Sequence, residues 1–389
     1  MSLKNRADAL LSSAALNGDV PGVVAMATRR EGIIYEGAFG QRTLGSGTAM
    51  SLDSVVWIAS MTKALTTAAA LQLVELGKLD LDAPASNIAP QLGQARVLTG
   101  FDAAGEPLTR APIRPITLRH LLTHTSGFGH EIWGADVQKV QAAWGLPRIG
   151  SGRKAALAVP LLFDPGQAWA YGIGIEWTGQ LVEAASGQTL GSYLHEHLFA
   201  PLGMHNTAFR LTPALRAKLA KVHQRNPDAS LSAIDFEVVQ DPEFELGGGG
   251  LYSTAGDYLR FVRMILNGGT LDGARVLSRE TVRQMARNQI GPNRVGLLKT
   301  AMPTHSNDAE FFPGIAKTWG LGFQINEAAA PTGRPAGGLM WAGLPNTFYW
   351  IDCATGVGGV FLAQLFPFVD ARAVASYYAF ETAVYDSLP

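Results

Sequence analysis

Short apolar strand patterns lie at both ends of the chain, and helical patterns dominate the middle. Residues 21–30 (PGVVAMATRR) and 32–40 (GIIYEGAFG) are runs rich in β-branched and aromatic residues, separated by charged residues and glycine. Adjacent runs of this kind predict an antiparallel hairpin. The same kind of pattern recurs near the C-terminus in residues 319–325, 337–343, 346–353 and 356–365. The sequence therefore predicts one antiparallel sheet made from both ends of the chain.

Apolar residues recur at helical spacing between these strands and again at the end of the chain. The candidate helices are residues 60–76, 117–123, 174–185, 189–198, 255–266 and 370–385. Loops that contain proline and glycine connect them. The predicted fold class is α+β. We expect a sheet domain from residues 1–80 and 250–389, and a mainly helical domain from residues 81–249.

Composition narrows the classes of function. The 389 residues include 31 Lys and Arg against 32 Asp and Glu, which gives no support to nucleic-acid or anionic-membrane binding. No apolar run approaches the ~20 residues of a membrane helix, and the first residues do not resemble a secretory signal. The single cysteine, Cys353, excludes an internal disulfide. We therefore expect a cytoplasmic protein without membrane or nucleic-acid partners.

A serine and a lysine stand three positions apart at the start of the predicted helix at 60–76. Residues three apart share one face of a helix, so the Lys63 amine can reach the Ser60 hydroxyl. The flanking segments VVWIAS and ALTTAAALQLV are apolar, and burial favours the neutral amine, the form that acts as a base. Backbone N–H groups at a helix N-terminus also stabilise an oxyanion. The pair is therefore a candidate nucleophile and base.

The Ser-x-x-Lys spacing is not specific by itself, because a serine that begins a helix is often only an N-cap. The chain holds a second match, Ser151 and Lys154, in a loop rich in glycine and arginine. Nothing around the second pair predicts a special site. Because only Ser60 has the apolar helical context, we expect Ser60 to be the nucleophile.

Several motifs, beginning with the Ser60 pair, follow one another in order along the chain. They are SMTK, LQLVELGKLDLDAP, ITLRHLLTHTSGF, PLGMHNTAF and GGGGLYSTAGDYLRF. From about Gly22 onward the chain resembles the serine β-lactamase and penicillin-binding-protein superfamily, and within it most closely the family VIII carboxylesterases, relatives of class C β-lactamases. The resemblance implies a β-lactamase-like fold, an antiparallel sheet flanked by helices with a helical insertion.

The second motif of that superfamily, Tyr-x-Asn or Tyr-x-x after a Pro-Gly turn, corresponds to FDPGQAWAYGI in this chain. The resemblance places Tyr171 in the catalytic set, where its phenol would move protons between Ser60 and the leaving group. Without the resemblance, Tyr171 is equally well a core tyrosine with a satisfied hydroxyl. Ile173 stands where β-lactamases have asparagine, and we expect it to contact the substrate.

The third motif of β-lactamases, Lys-Thr-Gly on a strand beside the site, is replaced here by Trp-Ala-Gly at 341–343. A Trp-x-Gly version is similar to that of the esterase branch. The resemblance implies that the Leu344 amide joins the Ser60 amide as an oxyanion hole. It also implies that Trp341 and Gly343 border the substrate.

Other motifs give weaker predictions. The tripeptide KTW at Lys317 shares its first two residues with the Lys-Thr-Gly motif, but it lies one predicted strand too early. His120 and His124 are spaced like two metal ligands on a helix, but no third ligand is evident, and in the family LLTHTSG is a structural turn. The glycines at 247–250 lack the lysine and helix of a phosphate loop. Trp133 follows HTSGF, which borders the cleft in this superfamily, so we expect Trp133 to touch the substrate.

These observations predict a serine carboxylesterase that hydrolyses short- to medium-chain carboxylic esters through an acyl-enzyme on Ser60. Lys63 would take the serine proton, directly or through Tyr171, and water would then release the acid. No metal or organic cofactor is implied, and the expected partner is a small-molecule ester. An acyltransferase that uses the same acyl-enzyme is an alternative, as is a β-lactamase or penicillin-recognising protein.

Overall fold

The computed structural model describes residues 2–388 and contains the following elements. The strands are β1 (Gly22–Arg29), β2 (Ile33–Gly40), β3 (Val56–Trp57), β4 (Val97–Phe101), β5 (Pro107–Arg110), β6 (His223–Arg225), β7 (Leu231–Ala233), β8 (Tyr252–Ser253), β9 (Thr270–Leu271), β10 (Ala274–Arg275), β11 (Lys317–Trp319), β12 (Gln324–Asn326), β13 (Leu339–Gly343), β14 (Thr347–Asp352), β15 (Val357–Leu362) and β16 (Leu365–Phe366). The α-helices are α1 (Leu3–Leu16), α2 (Thr62–Glu75), α3 (Leu118–Leu122), α4 (Ala135–Trp144), α5 (Gly174–Ser186), α6 (Leu190–Leu194), α7 (Ala200–Leu202), α8 (Pro213–Arg216), α9 (Ala255–Leu266), α10 (Arg279–Met285) and α11 (Ala371–Tyr385).

The main sheet joins the two ends of the chain. Its seven strands have the order β11-β12-β13-β14-β15-β1-β2, and all the pairings are antiparallel. Strand β1 forms a hairpin with β2 and pairs on its other edge with β15, where Ala25 lies opposite Phe361. The sequence prediction of an α+β fold, with a sheet built from both termini, is confirmed.

One predicted strand is instead two. The pattern at 319–325 predicts a single strand, but β11 ends at Trp319 and β12 begins at Gln324. The Gly320 amide donates to the Phe323 carbonyl oxygen over 2.8 Å, and Gly322 has a φ of +87° that disfavours other residues. The glycines therefore form a tight turn where the apolar pattern alone reads as continuous strand.

The predicted helices are present with ends shifted by a few residues at most. Helix α9 has the predicted bounds, and α11 begins after Asp370, whose carboxylate accepts from the amides of Arg372 and Ala373. The predicted helix at 189–198 continues to Leu202 through a π-helical stretch, His195–Phe199. The spacing does not reveal α1, α4 or α10, because each buries only three side chains. The domain boundaries at 80 and 249 stay predictions.

The sheet and helix α9 together hold the turn that precedes α2. The Ile58 amide donates to the Leu251 carbonyl oxygen over 3.0 Å, and the Ile58 carbonyl oxygen accepts from the Thr347 hydroxyl of β14 over 3.4 Å. From α9, the Tyr258 hydroxyl donates to the Met61 carbonyl oxygen over 2.9 Å. At Gly343 of β13, a Cβ atom would lie 2.2 Å from the Ile58 oxygen, so only glycine fits there.

Adding a methyl group at Gly343 tests this close approach. We expect Gly343→Ala to lower the free energy of unfolding by about 1–3 kcal/mol, because backbone must move to relieve the overlap. The control is Gly256→Ala in α9, where a Cβ atom would meet nothing within 4 Å and helix propensity gains about 0.5–1 kcal/mol. Chemical denaturation of both variants measures the difference. Equal stability of the two would contradict the close packing at Gly343.

Candidate active site

Ser60 lies in a strained turn immediately before helix α2. The turn is a 3₁₀ segment, Ala59–Met61, and α2 itself begins at Thr62. Ala59 has a φ of +43°, a left-handed conformation that costs energy for any residue with a Cβ atom. Ser60 therefore does not cap α2, as a simple helix start would. The strained conformation instead presents its side chain to a cavity.

Lys63 is buried beside the serine. Its Nζ donates to Ser60 Oγ over 3.1 Å and to the Gly248 carbonyl oxygen over 2.5 Å. Only 4% of Lys63 is exposed, so almost no water solvates the amine. The helix spacing predicted from the sequence therefore brings the two side chains into contact, as a nucleophile and its base require.

The four glycines at 247–250 pack against α2 and the cavity. Besides the Gly248 contact with Lys63, the Gly247 carbonyl oxygen accepts from the Thr66 hydroxyl over 2.7 Å. The Gly249 carbonyl oxygen accepts from Nε1 of Trp57 over 2.6 Å. The segment then continues through Leu251 into β8, so it connects the helical region with the Ser60 turn.

Tyr171 is held in place by its neighbours on several sides. Nε1 of Trp341 donates to the Tyr171 hydroxyl over 3.1 Å. His124 fixes the backbone on both sides, since its carbonyl oxygen accepts from the Ala170 amide at 3.0 Å and its Nδ1 from the Gly172 amide at 3.3 Å. Nζ of Lys63 lies 4.9 Å from the centre of the phenol ring. The structure thus brings Tyr171 next to Lys63, and its role in proton transfer stays a prediction.

The cavity above Ser60 has mainly apolar walls and a polar rim, with a volume of about 200 Å³. Its apolar lining residues are Trp57, Ile132, Trp133, Ile149, Phe236, Val238, Leu246, Met302 and Leu344. Its titratable lining residues are His130, Glu131, Arg148, Glu176, Glu237 and His305. Two predicted site residues, Trp133 and Leu344, are therefore placed in the same cavity as Ser60.

Three predicted substrate contacts are buried behind the cavity wall. Trp341 is 3% exposed and packs against Tyr171, with ring centres 5.0 Å apart. Ile173 is 3% exposed and precedes α5. Gly343 packs against the Ser60 turn, as described above. None of the three lines the cavity at Ser60, and their contact with a substrate stays a prediction.

Glu176, on the first turn of α5, is a cleft residue that sequence reasoning missed. Burial raises its pKa to about 7, against the opposing influence of the Lys63 charge and the Gly248 amide. Its Oε2 is buried and accepts no hydrogen bond from any described residue. The available signal was one acidic residue in the apolar segment YGIGIEWTG, five positions after Tyr171.

The histidines near the site are neutral. Burial lowers the pKa of His124 and of His130, and the Lys63 charge lowers both further, while Glu131 partly opposes the shift at His130. His120, the other histidine of the predicted turn, uses Nδ1 to accept from the Thr117 amide at 3.2 Å. These rings therefore add no positive charge beside Lys63.

The second Ser-x-x-Lys pair and Lys317 have other surroundings than the Ser60 pair. Ser151 ends a 3₁₀ turn and accepts from the Arg153 amide over 3.3 Å, while Lys154 is exposed. Lys317 is buried on β11, where Nζ contacts Glu310 Oε1 at 2.8 Å. Neither lysine contacts the Ser60 hydroxyl, whose lysine partner is Lys63.

Replacing Glu176 by glutamine tests its burial. The pKa of the Glu176 carboxyl is 4.5 in the unfolded chain and about 7 in the fold. The folded state is therefore destabilised by the buried charge as pH rises from 4.5 to 7. Glu176→Gln removes that cost and is expected to stabilise the protein by up to about 3 kcal/mol at pH 8, with little effect at pH 4.5.

Thermal unfolding at both pH values measures this change. The control is Glu183→Gln, the same substitution on the same helix, where Oε1 accepts from the Leu190 amide. A stabilisation by Glu176→Gln that is equal at the two pH values would show that the charge is not the cause.

The chain is similar to acyltransferases and esterases along almost its whole length. The family model described as Beta-lactamase matches residues 7–384. The lovastatin esterase of Penicillium rubens is 33% identical over 95% of this chain and 94% of its own. Monacolin J acid methylbutanoyltransferase of Aspergillus terreus is 33% identical over 94% of this chain and 92% of its own.

A solved structure shares the architecture described above. Simvastatin synthase from Aspergillus terreus, in its LovD6 mutant form, matches with a TM-score of 0.86 and 32% identity, over 98% of this chain and 96% of that one. The fold is therefore β-lactamase-like, and the chain is an enzyme related to serine hydrolases. Since the family model spans nearly every residue, the protein belongs to the β-lactamase family.

Proposed function

We propose that the protein is an acyltransferase that forms an acyl-enzyme on Ser60 and passes the acyl group to an alcohol. The observation that carries the proposal is the 3.1 Å contact between Lys63 Nζ and Ser60 Oγ at the floor of a largely apolar cavity. The similarity to a methylbutanoyltransferase favours this alternative over the carboxylesterase predicted first. A short branched or linear acyl group fits the apolar walls.

The first half-reaction acylates the serine. Ser60 Oγ attacks the carbonyl carbon of an activated ester, and its proton passes to Nζ of Lys63, directly or through Tyr171. The negative charge on the carbonyl oxygen is stabilised by the amides of Ser60 and Leu344. When the ester C–O bond breaks, the same proton passes to the leaving oxygen, so Lys63 is neutral again in the acyl-enzyme.

The second half-reaction is the reverse with a new alcohol. The alcohol gives its proton to Lys63 as its oxygen attacks the acyl carbon, and Ser60 takes the proton back when its bond to the acyl group breaks. Walls formed by Trp57, Trp133, Phe236 and Leu246 favour an apolar alcohol over water in this position. Transfer is therefore expected to compete with hydrolysis although water is far more concentrated.

Hydrolysis of esters is the second candidate function. One relative of equal identity is named an esterase, and the cavity has a polar rim at Arg148, Glu237 and His305 that admits water. Water would replace the alcohol in the second half-reaction, with no other change in the chemistry. The two functions share the acyl-enzyme and differ in the acceptor.

Product analysis separates the two functions. We incubate the protein with p-nitrophenyl butyrate and millimolar 2-phenylethanol and measure p-nitrophenol, free butyrate and phenylethyl butyrate. Acyl transfer predicts that phenylethyl butyrate is the main product, because the apolar walls hold the aromatic alcohol. Free butyrate as the only product, at an undiminished rate of p-nitrophenol release, would establish the esterase instead.

The two Ser-x-x-Lys pairs supply the control. Ser60→Ala is expected to abolish both products, whereas Ser151→Ala is expected to leave them near normal, because the Lys154 beside Ser151 is exposed. Loss of activity in the Ser151 variant alone would refute the assignment of the nucleophile.

A chromogenic cephalosporin tests the remaining alternative, β-lactam hydrolysis. β-Lactamases use an asparagine and a lysine where this chain has Ile173 and Trp341, both of which are buried. Loss of one charge-assisted hydrogen bond costs roughly 1.5–3 kcal/mol, so loss of both predicts at least about a hundredfold lower turnover. We expect kcat/KM for p-nitrophenyl butyrate to exceed that for the cephalosporin by this factor. Equal values would favour a β-lactamase.

A further inference from the structure

The carboxyl group of Glu176 faces the amine of Lys63 across a single glycine. A Cβ atom added to Gly248 would lie 2.5 Å from Glu176 Oε1 and 3.3 Å from Lys63 Nζ. The two groups form no direct ion pair, and Lys63 donates instead to Gly248 and Ser60. The glycine therefore leaves an opposite charge close to Lys63 without placing it in the path between Lys63 and the serine.

Acylation creates a positive charge on Lys63 together with the oxyanion, whose own charge is directed to the amides of Ser60 and Leu344. When Lys63 takes the serine proton it becomes an ammonium group that is almost fully buried, and its two hydrogen-bond acceptors are neutral. A buried charge without an opposite charge is strongly unfavourable. Some group beside Lys63 must therefore stabilise the ammonium form while the acyl group is transferred.

Among the titratable groups around Lys63, Glu176 is the one whose charge can stabilise the ammonium form, because the others are neutral or directed to other partners. On the loop after α3, His124 and His130 are neutral because burial lowers the pKa of each. Glu131, on the same loop, uses Oε1 to accept from the Ile149 amide and directs Oε2 to His130, 3.6 Å away. Tyr171 presents its ring to Lys63 and its hydroxyl to Trp341.

We propose that Glu176 is a positioning residue whose carboxylate supplies the counter-charge for the Lys63 ammonium that forms during each half-reaction. The inference rests on the proposed function, because it concerns the base of the same acyl transfer. Glu176 gains and loses no proton in the step. The serine proton moves to Lys63 and then to the leaving oxygen, while Glu176 stays ionised. The Gly248 amide donates to the carboxylate, but Oε2 accepts no hydrogen bond from any described residue.

The inference predicts the direction in which the pH dependence of acylation changes when Glu176 is replaced. Since the carboxylate favours the ammonium form of Lys63, and must itself be ionised, its removal should let the base work at lower pH and make it weaker. We expect Glu176→Gln to move the acid limb of kcat/KM for p-nitrophenyl butyrate down by about one pH unit or more. The plateau should fall by about ten- to a hundredfold.

Two further variants keep the test independent of folding. Glu176→Asp retains the charge and is expected to keep the acid limb of the parent protein, with a plateau between those of the parent and the glutamine variant. Glu183→Gln makes the same chemical change on α5 away from the cavity, and we expect the parent profile. Thermal unfolding of each variant at the assay pH identifies any loss of fold.

The outcomes separate this inference from the proposed function. If the parent protein turns over no ester, or if Ser60→Ala remains active, the proposed function fails. If the parent is active and Glu176→Gln lowers the rate without moving the acid limb, the residue is only structural and the inference is overturned. An unchanged or higher plateau in the glutamine variant would overturn it as well, and so would loss of all activity in both the glutamine and aspartate variants.

Discussion

The candidate active site depends on one strained turn, because Ala59 holds a left-handed conformation one residue before Ser60. Such a conformation costs of order 1–3 kcal/mol and persists only where surrounding contacts impose it. Here the contacts come from widely separated parts of the chain, namely β13, β14, α9 and the segment before β8. The energy that the sheet and helices gain by packing together therefore fixes the direction of the Ser60 side chain.

The same turn explains why small residues and buried polar groups occur together around it. Gly343 lets β13 approach the turn, and Gly248 leaves room for two titratable side chains to face each other. Burying Glu176 and Lys63 makes the fold less stable than an apolar core of the same size would be. The free-energy cost of burying these two charged groups falls at the candidate site, where the proposed chemistry needs them. The burial of large aromatic side chains in the core of the sheet offsets that cost.

The sequence is a good guide to local features and a poor one to contacts between distant segments. Strand alternation predicts β1, β2 and β13–β15, and helical spacing brings Lys63 to Ser60, since both depend on neighbouring residues. The approach of Glu176 to Lys63, by contrast, depends on how α5, α2 and the glycines at 247–250 pack. The resemblance to the family predicts Tyr171 as a site residue. It does not reveal that Nε1 of Trp341 donates a hydrogen bond to the Tyr171 hydroxyl.

The contacts of β13 and β14 with the Ser60 turn have a consequence for how the protein is synthesised. During synthesis Ser60 leaves the ribosome long before β13 and β14, and until these strands are added the turn lacks its contacts with Gly343 and Thr347. A nascent or prematurely terminated chain therefore carries Ser60 in a turn that lacks part of its support. The geometry at Ser60 is therefore complete only when the last strands of the sheet have been added.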